Sequence, residues 1–256
     1  MLRCISNRGS TSLAELHKDS GISRPALLRL LATLEAEGYV RRWLTDGRYR
    51  ISFNAPEIVK SRGLPAIMAD LVGPVLQDLL PKLSWPADIA VRDGHHMIVC
   101  ETTRRKSPHL VHPVNAGYRV HMLQSAVGRA FLAFCRPFER DNILAALRKS
   151  GDLNDQLARD EKAIDALLME NRKRGYAFRK KGYFANRPNV PLEFSAIAVP
   201  ILYDSHAMAC LSVTWIATAM SEQEFVASYL PAIQIAARRA EHVLSASDID
   251  FDAIRA

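Results

Sequence analysis

The feature that most constrains this chain is a change of hydrophobic period within its first 53 residues. Ser12, followed three residues later by Glu15, is a capping box, which satisfies two otherwise orphaned amides at a helix start. Leu13 and Leu16 share one face of the helix it opens, and Gly21 can take the left-handed conformation that stops it. Ser23 predicts the N-cap of a second helix, with Pro25 tolerated in its first turn. Leu27, Leu30, Leu31 and Leu34 recur there at helical spacing until Gly38. Two short helices joined by a Gly-containing turn form a helix-turn-helix. The period then becomes two: Tyr49, Ile51 and Phe53 alternate with Arg48, Arg50 and Ser52, and Asp46-Gly47 predicts a two-residue hairpin turn. A helix-turn-helix followed by a basic hairpin is a winged helix-turn-helix.

Charge follows the same division. The 256-residue chain carries a formal +7. Residues 1–53 hold nine Lys and Arg against five Asp and Glu, while the other 203 residues hold 25 against 22. A local basic excess on a helix-turn-helix points to a phosphate-bearing partner. Composition is otherwise that of a globular chain, 48% hydrophobic and 24% charged. The longest apolar run, Ala207–Met220, is interrupted by Ser212, Thr214 and Thr218, so the run predicts no membrane span. The start lacks a signal-peptide core, which makes the cytoplasm the expected compartment.

Beyond the hairpin, residues 55–64 read as a linker helix, followed by a longer amphipathic helix to about residue 84. Residues 87–94 and 95–102 alternate as paired strands around Gly94. Helical segments are predicted over 125–149 and 159–174, strands over 195–204 and 207–215 around Asp204-Ser205, and a last helix from Ser221 to about Ser245. The expected division is 1–54, 55–64 and 65–247, with an α/β or α+β second unit.

The run SLAELHKDSGISRPALLRLLATLEAEGYVRRWLTDGRYRIS resembles the helix-turn-helix of the IclR family of bacterial transcription regulators. The blocks LVGPVLQDLL, SAVGRAFLAF, RGYAF, SAIAVPI and ACLSVTW extend the resemblance over nearly the whole chain. LSWPADIAV, ETTRRKSP and AFLAFC are most similar to regulators of hydroxyphenylpropionate and related aromatic-acid catabolism. The resemblance implies an α+β chain: a winged helix-turn-helix, a linker helix and a GAF-like effector-binding domain. It also implies a dimer or tetramer on double-stranded DNA, control of a catabolic operon by a small carboxylic acid, and RNA polymerase as a further candidate partner. It implies no cofactor. Three departures stand out. Only Met1 to Asn7 remain of a stretch that is usually longer, so a short first helix or an internal start is expected. His17 sits where the motif usually has a small residue at a helix crossing, and the loop from Gly182 to Phe194 is long.

In this motif the first turns of the second helix face base edges. Arg24, Ala26, Leu28 and Arg29 are therefore DNA-contact candidates, with Ser23 and Thr33 as phosphate donors and Arg42 and Arg48 as hairpin contacts. The same arginines also suit a solvated helix face or a solubilising edge strand. For the effector, Ser125, Ala126 and Val127 open a helix whose free amides suit a carboxylate. Ser212 and Thr214 occupy alternate strand positions and point the same way. Ala196 contributes shape, and Trp85 and Met122 could wall an aromatic ring; capping and core packing account for these residues equally simply. His95, His96, Cys100, Glu101, His109, His112 and His121 lack metal-ligand spacing, and no metal is expected. No nucleotide loop or nucleophile elbow is present. The alternative is a small-molecule or redox enzyme with Cys100 or Cys210 as nucleophile, fused to a DNA-binding module. Both cysteines sit in apolar strand patterns, which points to burial.

Overall fold

The computed structural model describes residues 1–8, 10–43, 46–52, 63–109, 116–183 and 193–255. Two compact units separate at Gly63 and Leu64.

The first unit contains helices α1 (Leu2–Arg8), α2 (Leu13–Ser20) and α3 (Arg24–Ala36) and the antiparallel strands β1 (Val40–Arg42) and β2 (Tyr49–Ile51). Ile5, Leu16, Leu27, Leu31, Val40 and Tyr49 close its core. The capping box is present in both directions, Ser12 with Glu15, and Gly21 adopts φ +69° at the end of α2. Thr11 exchanges two backbone hydrogen bonds with Tyr49, at 3.0 and 2.7 Å, which pins the start of α2 to β2. The hairpin departs from the two-residue turn. Val40 pairs with Ile51, and the Trp43 amide donates to the Arg48 carbonyl at 2.9 Å. This pairing brings Trp43, not Leu44 or Thr45, opposite Arg48, and Gly47, at φ +65°, donates to the Trp43 carbonyl. Register here follows the core pair Val40–Ile51 rather than the local turn signal. His17 does not obstruct the helix crossing. Its ring is exposed, and its Nδ1 lies 2.7 Å from the Ile22 carbonyl, bridging the turn from outside. Phe53 and most of the expected linker helix lie outside the described residues.

The second unit is a six-stranded, wholly antiparallel sheet in the order β5-β4-β3-β8-β7-β6. Its strands are β3 (Ala87–Asp93), β4 (His96–Thr102), β5 (Arg119–His121), β6 (Ala177–Phe178), β7 (Phe194–Tyr203) and β8 (His206–Ile216). An antiparallel sheet with helices packed on it is α+β. Helix α4 (Leu64–Leu83) and helix α8 (Glu222–Ser245) cover one face. On the other lie α5 (Ala126–Phe134), α6 (Pro137–Lys149), a 3₁₀ segment (Leu153–Arg159) and α7 (Glu161–Arg174). The short helix α9 (Phe251–Arg255) places Phe251 in the first of these cores. The helix expected over 125–149 breaks between α5 and α6. Pro137 lacks an amide proton and holds Arg136 extended, at ψ 142°. The two-stranded turn at Asp204-Ser205 is left-handed at both residues, φ 49° and 62°. Among the described residues α4 is apolar and long enough to cross a bilayer by length and composition, which the longest-run reading missed. Seven of its residues are buried, Met68 to Leu83, on the face that meets β3 and β4.

Helix α5 begins unusually close to the chain before it. A Cβ at Gly128 would sit 2.2 Å from the Met122 carbonyl oxygen and 2.6 Å from its Cα, so only glycine permits this approach. Gly128→Ala should destabilise the second unit by about 1–3 kcal/mol through overpacking. Thermal denaturation of the variant checks this, and an unchanged melt would refute the close approach.

Candidate functional site

On α3 the core-facing residues are Leu27 and Leu31. That orientation leaves Arg24, Leu28 and Arg29 exposed on the outer face, with Ala26 partly covered. Arg24 and Leu28 are one turn apart, and Arg29 and Thr33 form the adjacent row. No hydrogen bond or ion pair engages the Arg24 or Arg29 guanidinium among the described residues. Ser23 occupies the N-cap with extended backbone, but its side chain makes no cap bond. Pro25 at the second helical position has no amide to offer it. The Thr33 hydroxyl donates to the Arg29 carbonyl at 3.1 Å, so its proton is already used within the helix.

The hairpin arginines divide by strand face. Arg48 turns inward: its Nε donates to the Ser10 hydroxyl at 2.8 Å and its Nη2 to Glu15 at 2.6 Å. This is a structural tie between β2 and the capping box of α2, made while the Arg48 side chain stays 35% exposed. Arg42 donates Nε to the Gly47 carbonyl at 3.0 Å and lies 5.7 Å from the Tyr49 ring, closing the loop while its guanidinium stays exposed. Arg50 stacks on the half-exposed Trp43 ring at 4.0 Å and pairs with Asp46. Arg41, which sequence reasoning passed over, is exposed and has no described partner. Its position next to the buried Val40 was the available signal, since alternate residues of a strand face opposite ways.

In the second unit, the even positions of β8 from Cys210 to Thr214 lie on the sheet face that carries α5. Asp88 on β3 pairs with Ser212, Ser212 with Ala198, and Thr214 with Ala196, so these residues share one sheet face. Asp88, Ser212, Thr214 and Ala196 are all buried. Arg104 meets Asp88 through both ends of its fork: Nε to Oδ1 at 3.1 Å and Nη2 to Oδ2 at 2.6 Å. The same Nη2 donates to the Thr214 hydroxyl at 3.1 Å, and Thr102 donates to Asp88 at 2.7 Å. Arg179 joins this corner through its backbone amide, which donates to the Ala196 carbonyl. Desolvation pulls its guanidinium below the usual range, opposed by the nearby Tyr183, with Arg104 repelling it further. Tyr183 lies under Arg179 at 5.4 Å, and burial pushes its hydroxyl up to about 12.

The start of α5 is only partly available. The Ser125 amide donates to His121, and its hydroxyl both donates to His121 and accepts from Gly128. The buried amides of Ala126 and Val127 remain without a described partner, as first-turn amides do. Met122 is fully buried in the core on this face. Trp85 is not brought to it. Trp85 packs with Ala87, Ile89 and Val91 in the core under α4 and α8, and its ring stacks on His109 at 4.2 Å. The expected wall of Trp85 and Met122 is therefore split between opposite faces of the sheet.

Residues 1–42 match the IclR helix-turn-helix domain, and residues 66–242 match the bacterial transcriptional regulator IclR C-terminal domain. The chain belongs to the IclR family. It is 27% identical over 181 residues to the transcriptional repressor IclR of Escherichia coli K12, across 67% of this chain and 63% of that protein. The match thus takes in less than two thirds of that curated relative's length. An IclR homolog from Microbacterium sp. strain HM58-2 superposes with a TM-score of 0.60 at 18% identity, covering 95% of this chain and 93% of that one. An IclR homolog from Microbacterium hydrocarbonoxydans, solved with 4-hydroxybenzoate, gives 0.56 at 18% identity over 94% and 93%. At such identities the likeness is one of fold.

Within this IclR-family chain, Asp88, Arg104 and Arg179 lie at this corner and were not among the residues singled out from the sequence. The one signal was the acid at Asp88 ahead of the apolar run Ile89–Val91, away from the other charged residues of the strand, Arg92 and Asp93, at its far end. The enzyme alternative lacks an activated thiol. Burial pushes Cys100 up to about 12 and Cys210 higher still, and Cys100 donates to the Ile89 carbonyl. Burial lowers His96, with repulsion from His121 and His95 adding to it. No metal-binding group of His, Cys, Asp or Glu occurs among the described residues, and His112 lies outside them.

Glu15 carries a prediction of its own. Its bonds from the Ser12 amide and then from Arg48 lower its carboxyl from 4.5 to about 2. A folded value below the ordinary one contributes stability that is full above the ordinary value and fades as pH falls towards the folded value. Glu15→Gln, which keeps the cap, should therefore reduce hydrogen-exchange protection of α2 and α3 at neutral pH. The gap to wild type should close between about pH 5 and about pH 2. A gap independent of pH would contradict the Arg48–Glu15 tie.

Proposed function

We propose that this IclR-family chain is a ligand-responsive DNA-binding transcription regulator. It reads an operator with α3 and senses a small, aromatic carboxylic acid in its second unit to control a catabolic operon. The observation that carries the DNA reading is the outer face of α3, where Arg24 and Arg29 are exposed, without partners among the described residues, beside the exposed Leu28. Arginine can pair in a bidentate way with guanine, and leucine can meet the thymine methyl. Ser23, with no cap bond to make, serves a phosphate. Arg41, Arg42 and the partly exposed Arg48 take the hairpin contacts, which makes the hairpin a wing. Helix-turn-helix proteins read paired half-sites as dimers, so a dimer or a higher oligomer is the binding form, in the cytoplasm.

The acid reading rests on the buried corner of Arg104, Arg179, Ser212 and Thr214, together with the open Ala126 and Val127 amides. Two guanidiniums and a helix start favour an anion. An aromatic acid is favoured by the small side chains of Ala196 and Ala198 in the core that also holds Met122, and by the 4-hydroxybenzoate held by the Microbacterium hydrocarbonoxydans relative.

Gel shifts with the neighbouring promoter test the DNA side. Arg24→Ala should cost about 1–3 kcal/mol on the specific site and relax base preference. Wild-type affinity in this variant would sink the α3 assignment. Melting in a panel of phenylpropionates, hydroxybenzoates and short keto acids tests the ligand. An acid at about 100 times its dissociation constant should stabilise the fold by about 2.7 kcal/mol. Thr214→Val removes the acceptor of Arg104 and should reduce that shift while the variant stays folded. An undiminished shift, or shifts with amines or sugars alone, would overturn the pocket.

A further inference from the structure

The hairpin of the first unit carries an aromatic ring that the core of that unit does not use. The chain has three tryptophans. Trp85 and Trp215 are buried in the second unit, whereas Trp43 is 47% exposed. A single exposed apolar side chain is ordinary on a protein surface. This one is held in a fixed setting. The Arg50 guanidinium lies over its ring at 4.0 Å, and Asp46 holds Arg50 at 2.9 Å. Asp46 is itself anchored, accepting from the Arg48 amide at 3.0 Å. The ring is therefore backed by a cation whose charge is already paired, which orients the indole rather than offering a second charge to a phosphate.

The neighbours of the ring point to its partner. Arg41 pairs across the hairpin with Arg50, and the Trp43 amide extends the ladder onto Arg48. Arg41, Trp43 and Arg50 thus share the strand face turned away from Val40 and Ile51, which pack in or against the core. Arg41 on that face is exposed and has no described partner. Arginine is drawn to the negative potential of a narrow minor groove, and apolar side chains inserted there unstack base steps.

Resting on the DNA reading above, we propose that Trp43 is a wedge that enters the minor groove beside the α3 site, partly unstacks one base step and bends the operator. Arg41 supplies the charge that draws the hairpin in, and Arg50 holds the indole in place. A wedge of this kind selects a flexible pyrimidine–purine step without any hydrogen bond to a base.

Tryptophan emission of the full chain tests this, because Trp43 alone of the three indoles is exposed to a soluble quencher. Binding of the neighbouring promoter duplex should quench the emission and shield it from acrylamide. Circularly permuted duplexes in gel shifts should show a bend of about 20° or more. Trp43→Ala should abolish that bend and weaken binding about fivefold or more. The slope of affinity against salt should stay as in wild type, because no phosphate contact is lost. Trp43→Phe, which keeps a flat ring, should keep the bend. The emission measurement uses wild type, so it decides the matter even if Trp43→Ala fails to fold. If the duplex binds and Trp43 stays as open to acrylamide as before, if the indole is already shielded in the free protein, or if Trp43→Ala bends the duplex as wild type does, the wedge is overturned and the α3 assignment stands. If the wild-type chain binds no promoter duplex, the DNA reading falls and the wedge falls with it.

Discussion

The period-two alternation along β8 divides the second unit into two chemically different halves. Ala209, Leu211, Val213 and Trp215 face α4 and α8, while Cys210, Ser212 and Thr214 face α5. Trp215 is fully buried and stacks on Phe225 with ring centroids 3.9 Å apart, so the first face is a filled core. The second face carries small and hydroxyl-bearing residues, reinforced by Ala196 and Ala198 across the β7 register. A one-residue slip of β8 would exchange the two faces. The position of the Asp88–Arg104–Thr214 corner therefore depends on a register that the aromatic core enforces.

Buried charge on the small-residue face makes sense only in that setting. A buried ion pair rarely stabilises a fold more than apolar residues of the same volume, because desolvation opposes the attraction. Asp88 and Arg104 meet that cost with well-formed partners, Thr102 and Thr214 among them. A stabilising role alone would be served as well by leucine and methionine. Retaining the Asp88–Arg104 pair on the sheet face that carries α5 is consistent with the anion-binding proposal.

The fold was legible where the signal was local. The Ser12–Glu15 and Ser221–Glu224 capping boxes, the left-handed Gly21, the Gly94 and Asp204-Ser205 turns and the orientation of Ser212 and Thr214 follow from neighbouring residues in the chain. What stayed hidden depends on distant pairing. Arg104 and Thr214 are 110 residues apart, and no periodicity announces their hydrogen bond. Arg48 reads as a free surface cation until Glu15, 33 residues away, is seen beside it. Trp85 was misplaced because it precedes its strand, where alternation gives no direction, and the core under α4 claimed it. The two-residue strand β6 and the short β5 carry too little pattern to stand out.

The central claim is that one chain couples a nucleic-acid face on α3 to an acid site on the second unit. Linkage makes such coupling reciprocal: an acid that changes DNA affinity must change its own affinity by the same factor when DNA is bound. The direct measurement is a titration of the acid that most raises the melting temperature, performed on the free protein and on its complex with the neighbouring promoter. The account predicts that the two dissociation constants differ by about 5-fold to 150-fold, and that DNA affinity with and without the acid differs by the same factor. Identical acid affinities with and without DNA would contradict it.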